Sequence, residues 1–330
     1  MDERFKPFRI GGVEIDFPVV LAAVAGYSDL PYRLICRRFG APYCATEMML
    51  DRLVLMSGKL RNRMAALAPE DHPIAGQITG NEPPVMAAAG AELCRMGFDV
   101  VDLNFACPVR KALSRRRGGY MMSQPEQVLE IVRAVLSAVD RPVTLKIRRG
   151  FKEEDSRYDD FWRIAEGAFR AGVAAITVHA RSVQAMYRGP ASWDFLAEVR
   201  RRFPDQTIIG SGDVHKPADA LRMIEATGLT AAAVARGALG NPWFFRQARD
   251  LAAGREPYQP SASEQRAVLE GHFEHALRLY GPQKAPKIMR KFGIRYARLH
   301  GQPKKVRMAF VSVNSREQWQ TVLDTFYGLQ

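Results

Sequence analysis

The stretch Val100-Val-Asp-Leu-Asn-Phe-Ala-Cys-Pro108 begins as a short apolar run and ends in polar side chains and a cysteine. This pattern is typical of a buried parallel strand whose last residues leave the core. A helical pattern precedes it at Pro83–Met96, and another follows at Ser123–Ala138, where Ser123 and Glu126 predict a capping box. A strand between two helices is the repeating unit of parallel α/β folds.

The same unit recurs along most of the chain. The predicted strands are Val19–Ala23, Tyr43–Glu47, Ile74–Ile78, Val100–Leu103, Val143–Ile147, Ala175–His179, Thr207–Gly210 and Ala231–Ala235. Further helices are predicted at Tyr158–Ala171, Trp193–Phe203 and Pro217–Thr227. Eight such units fit a closed (β/α)8 TIM barrel, whose typical size is about 250 residues. An open doubly wound sheet is the alternative, but it would normally carry a G-x-G-x-x-G turn, and none occurs.

The barrel pattern stops after Trp243, and residues 252–264 are rich in small residues and proline, as linkers are. We therefore predict an α/β barrel domain over residues 1–250 and an all-helical domain over residues 251–330.

Three helices are predicted in the second domain. Ser261 and Glu264 form a capping box for a first helix that ends at Gly281. A second helix is predicted to begin near Pro286, and a third to cover the last dozen residues.

The net charge of +13 is concentrated in one region. The segment His275–Arg316 contains eleven Lys or Arg and no Asp or Glu, so the other 288 residues carry only +2. A regional excess of this kind indicates a surface for a polyanion. On the predicted second helix, Lys287, Lys291, Arg295 and Arg298 fall on one face, because they are four, four and three residues apart. Without acidic neighbours, this stripe favours contact with a polyanion over a merely solvated face.

Composition also excludes several classes of protein. The longest apolar run, Val19–Ala25, has seven residues, far fewer than the ~20 needed to span a bilayer. The N-terminus lacks the apolar core of a secretory signal, so we expect a cytoplasmic location and no membrane partner. The four cysteines form no C-x-x-C pair, which favours a lone thiol over a disulfide framework, and we predict no metal site.

Polar residues collect where the predicted strands end, which is where barrel enzymes place their chemistry. They are Glu47, Gln77, Asp102, Asn104, Lys146, His179, Arg181, Ser211, Asp213 and Arg236. A lysine there must face an anion or shift its pKa, because burying an unpaired charge is costly. The glycine turns Gly210–Asp213 and Ala235–Gly237 follow strands seven and eight, the usual phosphate site of the barrel, and indicate a phosphorylated cofactor.

Considered alone, Cys107 on its loop is a candidate acid or nucleophile, but a lone cysteine is more often a small buried hydrophobe, which is the interpretation favoured at this point. His179 could equally bind a ligand or satisfy a core carbonyl.

Taken together, the motifs resemble one known family. They are Ala22-Ala-Val-Ala-Gly-Tyr-Ser-Asp-Leu-Pro-Tyr-Arg33, Thr46-Glu-Met-Met49, Gln77, Asp102-x-Asn104-x-x-Cys107-Pro108, Thr144-Leu-Lys146-Ile-Arg148, His179-x-Arg181, Gly212-Asp213, Arg236-Gly-Ala-x-Gly-Asn-Pro-Trp243 and Tyr280-Gly-Pro-x-Lys284. This ordered set, from about Phe17 to about Arg298, resembles the tRNA-dihydrouridine synthases and is most similar to their bacterial B-type subgroup.

The resemblance implies an FMN enzyme that reduces the C5–C6 double bond of a uridine in folded RNA, most simply tRNA. NADPH would be the transient reductant, reduced FMN would deliver hydride to C6, and Cys107 would protonate C5. The positions implied for FMN binding are Ala22, Ala23, Val24, Gln77, Lys146, His179, Ser211, Gly212, Asp213, Ala235 and Arg236. Lys146 would stabilise the anionic reduced flavin. The RNA contacts that we expect are Asn104, Arg110, Lys111, Arg181, Lys284, Lys287, Lys291, Arg295 and Arg298. A monomer is expected.

Three alternatives stay open. The same chemistry could act on ribosomal RNA, or the chain could be an FMN ene-reductase for a small molecule, which would have no use for the basic domain. It could also be a degenerate paralogue that binds RNA without reducing it. The last reading is supported by Ala23-Val24, Ala106, Ser211, Ala180 and Ala235, which stand where the family usually has Pro-Met, Gly, Asn, Gly and Gly.

Overall fold

A computed structural model describes residues 3–153 and 159–328, and it confirms the predicted barrel. Within these residues eight parallel strands form a ring. In ring order they are β3 (Val19–Leu21), β4 (Cys44–Ala45), β6 (Ile74–Thr79), β7 (Val100–Asn104), β8 (Val143–Arg148), β9 (Ala175–His179), β10 (Ile208–Ser211) and β11 (Ala231–Val234). The ring closes because β3 pairs with both β4 and β11. All strand carboxyl ends therefore lie at one mouth.

The second barrel strand is interrupted. Tyr43–Glu47 was predicted as one strand, whereas β4 ends at Ala45 and a further strand, β5 (Met49–Leu50), continues the pairing with β6. Glu47 thus lies between two strand pieces, near the mouth.

An N-terminal hairpin covers the opposite end of the barrel. It consists of β1 (Phe8–Ile10) and β2 (Val13–Ile15), joined by Gly11-Gly12. Ile10 and Ile15 are buried in one apolar cluster with residues of the barrel strands, including Val100 and Ala175. Sequence analysis missed this hairpin, although a Gly-Gly pair between short apolar runs is a known hairpin signal.

Helices surround the barrel and continue beyond it. They are α1 (Leu30–Arg38), α2 (Asp51–Leu55), α3 (Lys59–Met64), α4 (Pro83–Arg95), α5 (Arg110–Leu113), α6 (Pro125–Ala138), α7 (Asp159–Ala171), α8 (Trp193–Arg202), α9 (Pro217–Thr227), α10 (Phe244–Ala252), α11 (Ala262–Tyr280), α12 (Ala285–Tyr296), α13 (Pro303–Val311) and α14 (Arg316–Tyr327). Tyr158, the predicted start of α7, lies outside the described residues. The cap predicted at Ser123 is wrong, because α6 begins after Gln124, whose side chain makes no capping bond.

The helical region holds one more helix than predicted. The capping box of Ser261 and Glu264 is confirmed at the start of α11. Helix α13 was missed, although Pro303 at its first position, after Gly301-Gln302, is a start signal. None of the helices in the described ranges is long and apolar enough to cross a membrane.

Helix α12 packs directly on the barrel. Phe292 lies in an edge contact with Tyr27, with ring centroids 5.3 Å apart, and in one core with Tyr32. Gly240, with φ of +74°, lies so close to α12 that an added Cβ would come within 2.2 Å of the Arg295 carbonyl carbon. Helix α10 continues across the domain boundary predicted at 250/251. The division into two domains stays a prediction.

Candidate functional site

A cleft of about 250 Å³ opens at the mouth of the barrel. Its wall brings together the eleven positions assigned to the cofactor with Cys107 and Asn104. They are Ala22, Ala23, Val24, Gln77, Asn104, Cys107, Lys146, His179, Ser211, Gly212, Asp213, Ala235 and Arg236. These residues come from separate strand ends, so only closure of the barrel makes them neighbours.

A chain of buried hydrogen bonds runs along the floor of the cleft. The Gln77 amide donates to Asp102 at 2.6 Å, and the Asn104 amide donates to Gln77 at 2.8 Å. The Asn104 side-chain oxygen accepts the backbone N–H groups of Ala106 and Cys107, both at 3.0 Å. The polar side chains of β6 and β7 therefore fix the loop that carries the thiol.

Two glycines and an arginine pack closely against the loop of Cys107. Gly118 and Gly119 approach it so closely that an added Cβ would come within 2.9 Å of the Cys107 Cβ or 3.0 Å of its carbonyl oxygen. The buried Arg148 guanidinium donates to the Ala106 carbonyl at 2.9 Å. A half-buried thiol thus lines the cleft on a rigid loop.

Lys146 presents an unsatisfied charge to the cleft. Its Nζ atom is buried and has no hydrogen-bond partner in residues 3–153 and 159–328. Burial lowers the pKa of Lys146 to about 8, partly opposed by Asp102 and reinforced by Arg148. A buried ammonium without a partner indicates a place for an acceptor or an anion.

His179 is neutral in the cleft wall. Burial, together with the charges of Arg148 and Lys146, lowers its pKa to about 2. Its Nδ1 atom accepts the backbone N–H of Arg181 at 3.2 Å, so the ring proton lies on Nε2. The neutral ring can therefore donate one hydrogen bond to a ligand.

Arg181, expected to contact RNA, is instead buried and paired inside the protein. One of its guanidinium nitrogens donates to both carboxylate oxygens of Asp213, at 2.6 and 2.7 Å, and to the Gly189 carbonyl. Asp213 also accepts the Ala191 N–H at 2.7 Å. This network ties the loops after β9 and β10 together. The other terminal guanidinium nitrogen, Nη1, is buried and has no hydrogen-bond partner among the described residues, and the RNA contact expected of Arg181 stays a prediction.

Asp219 occupies the backbone N–H groups that lie just before the helix after β10. The Asp219 carboxylate accepts the N–H groups of His215 and Lys216, at 3.0 and 2.9 Å, and so caps α9 from within. After β11 a run of turns separates Arg236 from α10, which begins at Phe244.

Several cleft residues were not assigned from the sequence. Met48, Val109, Arg148, Tyr187 and His215 also line the cleft. Arg148 could have been found, because it follows Lys146 by two residues and so shares its face of the strand. Tyr187 lies on an irregular loop that carries no periodic signal.

Only part of the predicted basic stripe is free of hydrogen bonds to the barrel in the described part of the chain. Lys287, Arg295 and Arg298 are exposed, but Arg298 lies beyond α12 in a 3-10 turn and donates to the Gly237 carbonyl at 2.6 Å. Lys291 donates to the Gly26 carbonyl. Lys291 and Arg298 thus join the helical region to the barrel through backbone carbonyls, and the RNA contact expected of the stripe stays a prediction.

The other predicted RNA contacts lie around the mouth but outside the cleft. Lys284, Lys287 and Lys291 line a second pocket of about 500 Å³, shared with Glu47 and Arg63. Arg110 and Lys111 are exposed on α5, which follows the loop of the thiol.

Comparisons with known proteins agree with the resemblance. The dihydrouridine synthase family model matches residues 20–327. A probable tRNA-dihydrouridine synthase of Rhodobacter capsulatus is 33% identical over 91% of this chain and 92% of its own length. The tRNA-dihydrouridine synthase B of Yersinia pestis is 31% identical over 97% of this chain and 98% of its own length.

Solved structures support the fold. A 2-naphthoyl-CoA reductase in complex with 2-naphthoyl-CoA has a TM-score of 0.60 at 12% identity, covering 77% of this chain and 52% of that one. A histamine dehydrogenase from Rhizobium sp. 4-9 has a TM-score of 0.60 at 15% identity, covering 83% and 51%. This chain spans about half the length of each, and the likeness shows the fold alone. The family match over nearly the whole chain identifies the protein itself: it belongs to the dihydrouridine synthase family.

Proposed function

We propose that this chain reduces a uridine of tRNA to 5,6-dihydrouridine, with FMN as cofactor and NADPH as the transient reductant. The observation that carries the proposal is the meeting of Cys107, Asn104, Lys146 and His179 in one cleft of a dihydrouridine synthase barrel. We further propose that it acts as a monomer in the cytoplasm, where tRNA is modified.

The residues of the cleft fit a flavin. The buried ammonium of Lys146 lacks an acceptor among the residues described, and the neutral His179 ring has one N–H to donate. A flavin has carbonyl and ring-nitrogen acceptors and carries negative charge in its phosphate and its reduced ring. Lys146 and His179 would bind these groups, and the Ser211–Asp213 and Ala235–Arg236 loops would hold the phosphate end.

The reduction needs a hydride and a proton. When bound, the flavin supplies the hydride for C6 of the uracil ring. The Cys107 thiol would supply the proton to C5, and the loop held by Asn104 and Arg148 would keep the thiol in place for that transfer. The thiolate left behind would regain its proton from solvent, and NADPH would restore the reduced cofactor.

RNA has to deliver one base into this cleft. A uridine in folded RNA must leave its stack to reach the mouth of the barrel. Two groups of exposed cations are available for this: Arg110 and Lys111 on the helix that follows the thiol loop, and Lys284 and Lys287 in the helical region. These cations would bind the phosphates that flank the flipped base.

The proposal is tested by mapping dihydrouridine in RNA from cells with and without this gene. The expected result is loss of dihydrouridine at defined tRNA positions, restored by the wild-type gene and not by Cys107→Ala. Loss confined to ribosomal RNA would reject tRNA as substrate. An unchanged map of all RNA would reject the proposed reaction.

A further inference from the structure

Gly26 is held from both sides by opposite charges. Its N–H donates to the Glu47 carboxylate at 2.5 Å, and its carbonyl accepts from the Lys291 ammonium. Glu47 lies between β4 and β5 in the barrel, whereas Lys291 belongs to α12. One residue of the loop after β3 is therefore fixed by both parts of the molecule.

The loop that Gly26 belongs to is one tight unit. The Val24 carbonyl accepts the N–H groups of Tyr27 and Ser28, at 2.9 and 3.0 Å, and the Val24 N–H donates to the Ser28 hydroxyl at 2.8 Å. Val24 lines the cleft proposed for the flavin. A displacement of Gly26 would therefore be transmitted to the cleft wall.

The surroundings of Lys291 favour a fixed, charged side chain. Its ammonium lies 5.1 Å from the ring centroids of both Tyr27 and Phe292, within cation–π range. Burial raises the pKa of Glu47, and the Gly26 N–H and the Lys291 charge both oppose that rise. Lys291 thus helps to keep Glu47 ionised as the acceptor for Gly26.

The same ammonium also borders the second pocket. Lys291 lines this pocket together with Lys284 and Lys287, which are exposed. An ammonium has three donors, so one can bind the Gly26 carbonyl while another binds a phosphate. A phosphate in the pocket would hold Lys291 in place and so strengthen the contact with Gly26.

We propose that Lys291 is a positioning residue for the flavin-binding loop and that it couples RNA phosphate in the second pocket to flavin affinity. This inference rests on the proposed function. Because coupling between two ligands is reciprocal, RNA should tighten flavin binding, and bound flavin should tighten RNA binding by the same factor.

The test measures the rate of flavin release from the holoenzyme, by flavin fluorescence, with and without saturating tRNA. In the wild type, tRNA should slow release about five-fold or more. Lys291→Met should release flavin faster without RNA and show no slowing with RNA. Lys287→Met is the matched control, since Lys287 lines the same pocket but, among the described residues, makes no hydrogen bond to the Gly26 loop. This variant should need more tRNA to reach saturation, but at saturation tRNA should slow flavin release as much as in the wild type.

Lys291→Gln is a second variant, which keeps a donor for Gly26 but loses the charge. Its release rate should lie between those of the wild type and Lys291→Met. Full slowing by RNA in both Lys291 variants, or none in the wild type, would overturn the inference. A wild-type protein that binds no flavin or forms no dihydrouridine would instead refute the proposed function, so the two failures are distinguishable.

Discussion

The side-chain oxygen of Asn104 accepts the backbone N–H of Cys107 at 3.0 Å, so the last residue of β7 fixes the loop that carries the thiol. The same oxygen accepts the Ala106 N–H, and the amide nitrogen donates to Gln77. Asn104 was expected to contact RNA. Its hydrogen bonds give it a second role, which is to position the thiol.

Asn104→Ala should therefore lower RNA reduction at least ten-fold while flavin stays bound, because the thiol loop loses its acceptor. The N–H groups of Ala106 and Cys107, left without this acceptor, should also lower the free energy of unfolding by about 1–3 kcal/mol. Single-turnover dihydrouridine formation measures the loss of reduction, and urea unfolding measures the loss of stability. The rate of Cys107 alkylation reports whether the thiol itself has moved. Thr79→Val is the control, since the Thr79 hydroxyl donates to the backbone carbonyl of Asn104 and not to its side chain. Equal rates in both variants would refute the positioning role.

Lys146 should link flavin binding to proton uptake. Burial lowers its pKa to about 8 from 10.5, so the folded apoprotein binds fewer protons than the unfolded chain between these values. The contribution of Lys146 to stability therefore rises with pH across that window. A bound anionic flavin should raise the pKa again, so the wild type should take up protons on binding FMN at pH 9.

Calorimetry in two buffers of different ionisation enthalpy measures this uptake. Lys146→Met, which keeps most of the length of the side chain and removes the charge, should bind FMN with little proton uptake. Equal uptake by the wild type and Lys146→Met would show that another group titrates.

Gly240 should be intolerant of any side chain. Its φ is +74°, and an added Cβ would overlap the Arg295 carbonyl. Gly240→Ala should cost about 1–2 kcal/mol of backbone strain and ~1–3 kcal/mol of steric overlap. Gly254, with φ of +70° and no atom within 4 Å of an added Cβ, is the matched control and should show the strain alone. If urea unfolding shows the same loss in the free energy of unfolding for Gly240→Ala and Gly254→Ala, the close packing of α12 on the barrel is contradicted.

The exposed cations of the second pocket should contribute to RNA affinity. Lys284→Glu with Lys287→Glu should weaken tRNA binding and reduce the slope of log Kd against log salt by about one unit for each lost contact. Lys304→Glu with Lys305→Glu, an identical change of charge on exposed residues of α13, is the control. If both double variants bind tRNA with the same Kd and the same salt dependence, the lysines of the second pocket contribute no more to RNA binding than other exposed lysines do.

The barrel could be predicted because each buried strand is a continuous apolar run flanked by helical patterns. Lys146 and Asn104 were placed correctly at the mouth, since register along a strand follows from the sequence. The roles of Arg181, Lys291 and Arg298 could not be predicted in the same way. Their partners, Asp213, Gly26 and Gly237, are distant in sequence and are brought close only by tertiary packing. Helical spacing likewise places Arg298 on the stripe but cannot show that α12 ends at Tyr296.

The central claim is that a flavin in this cleft reduces uridine with Cys107 as the acid. Purified Cys107→Ala and wild type should be compared for bound yellow FMN, NADPH oxidation and dihydrouridine formed in tRNA. We predict that Cys107→Ala keeps its bound FMN and still oxidises NADPH. Its rate of dihydrouridine formation should fall by about 100-fold or more, in the range expected for removal of a general acid. Dihydrouridine formed by Cys107→Ala at the wild-type rate would contradict the account.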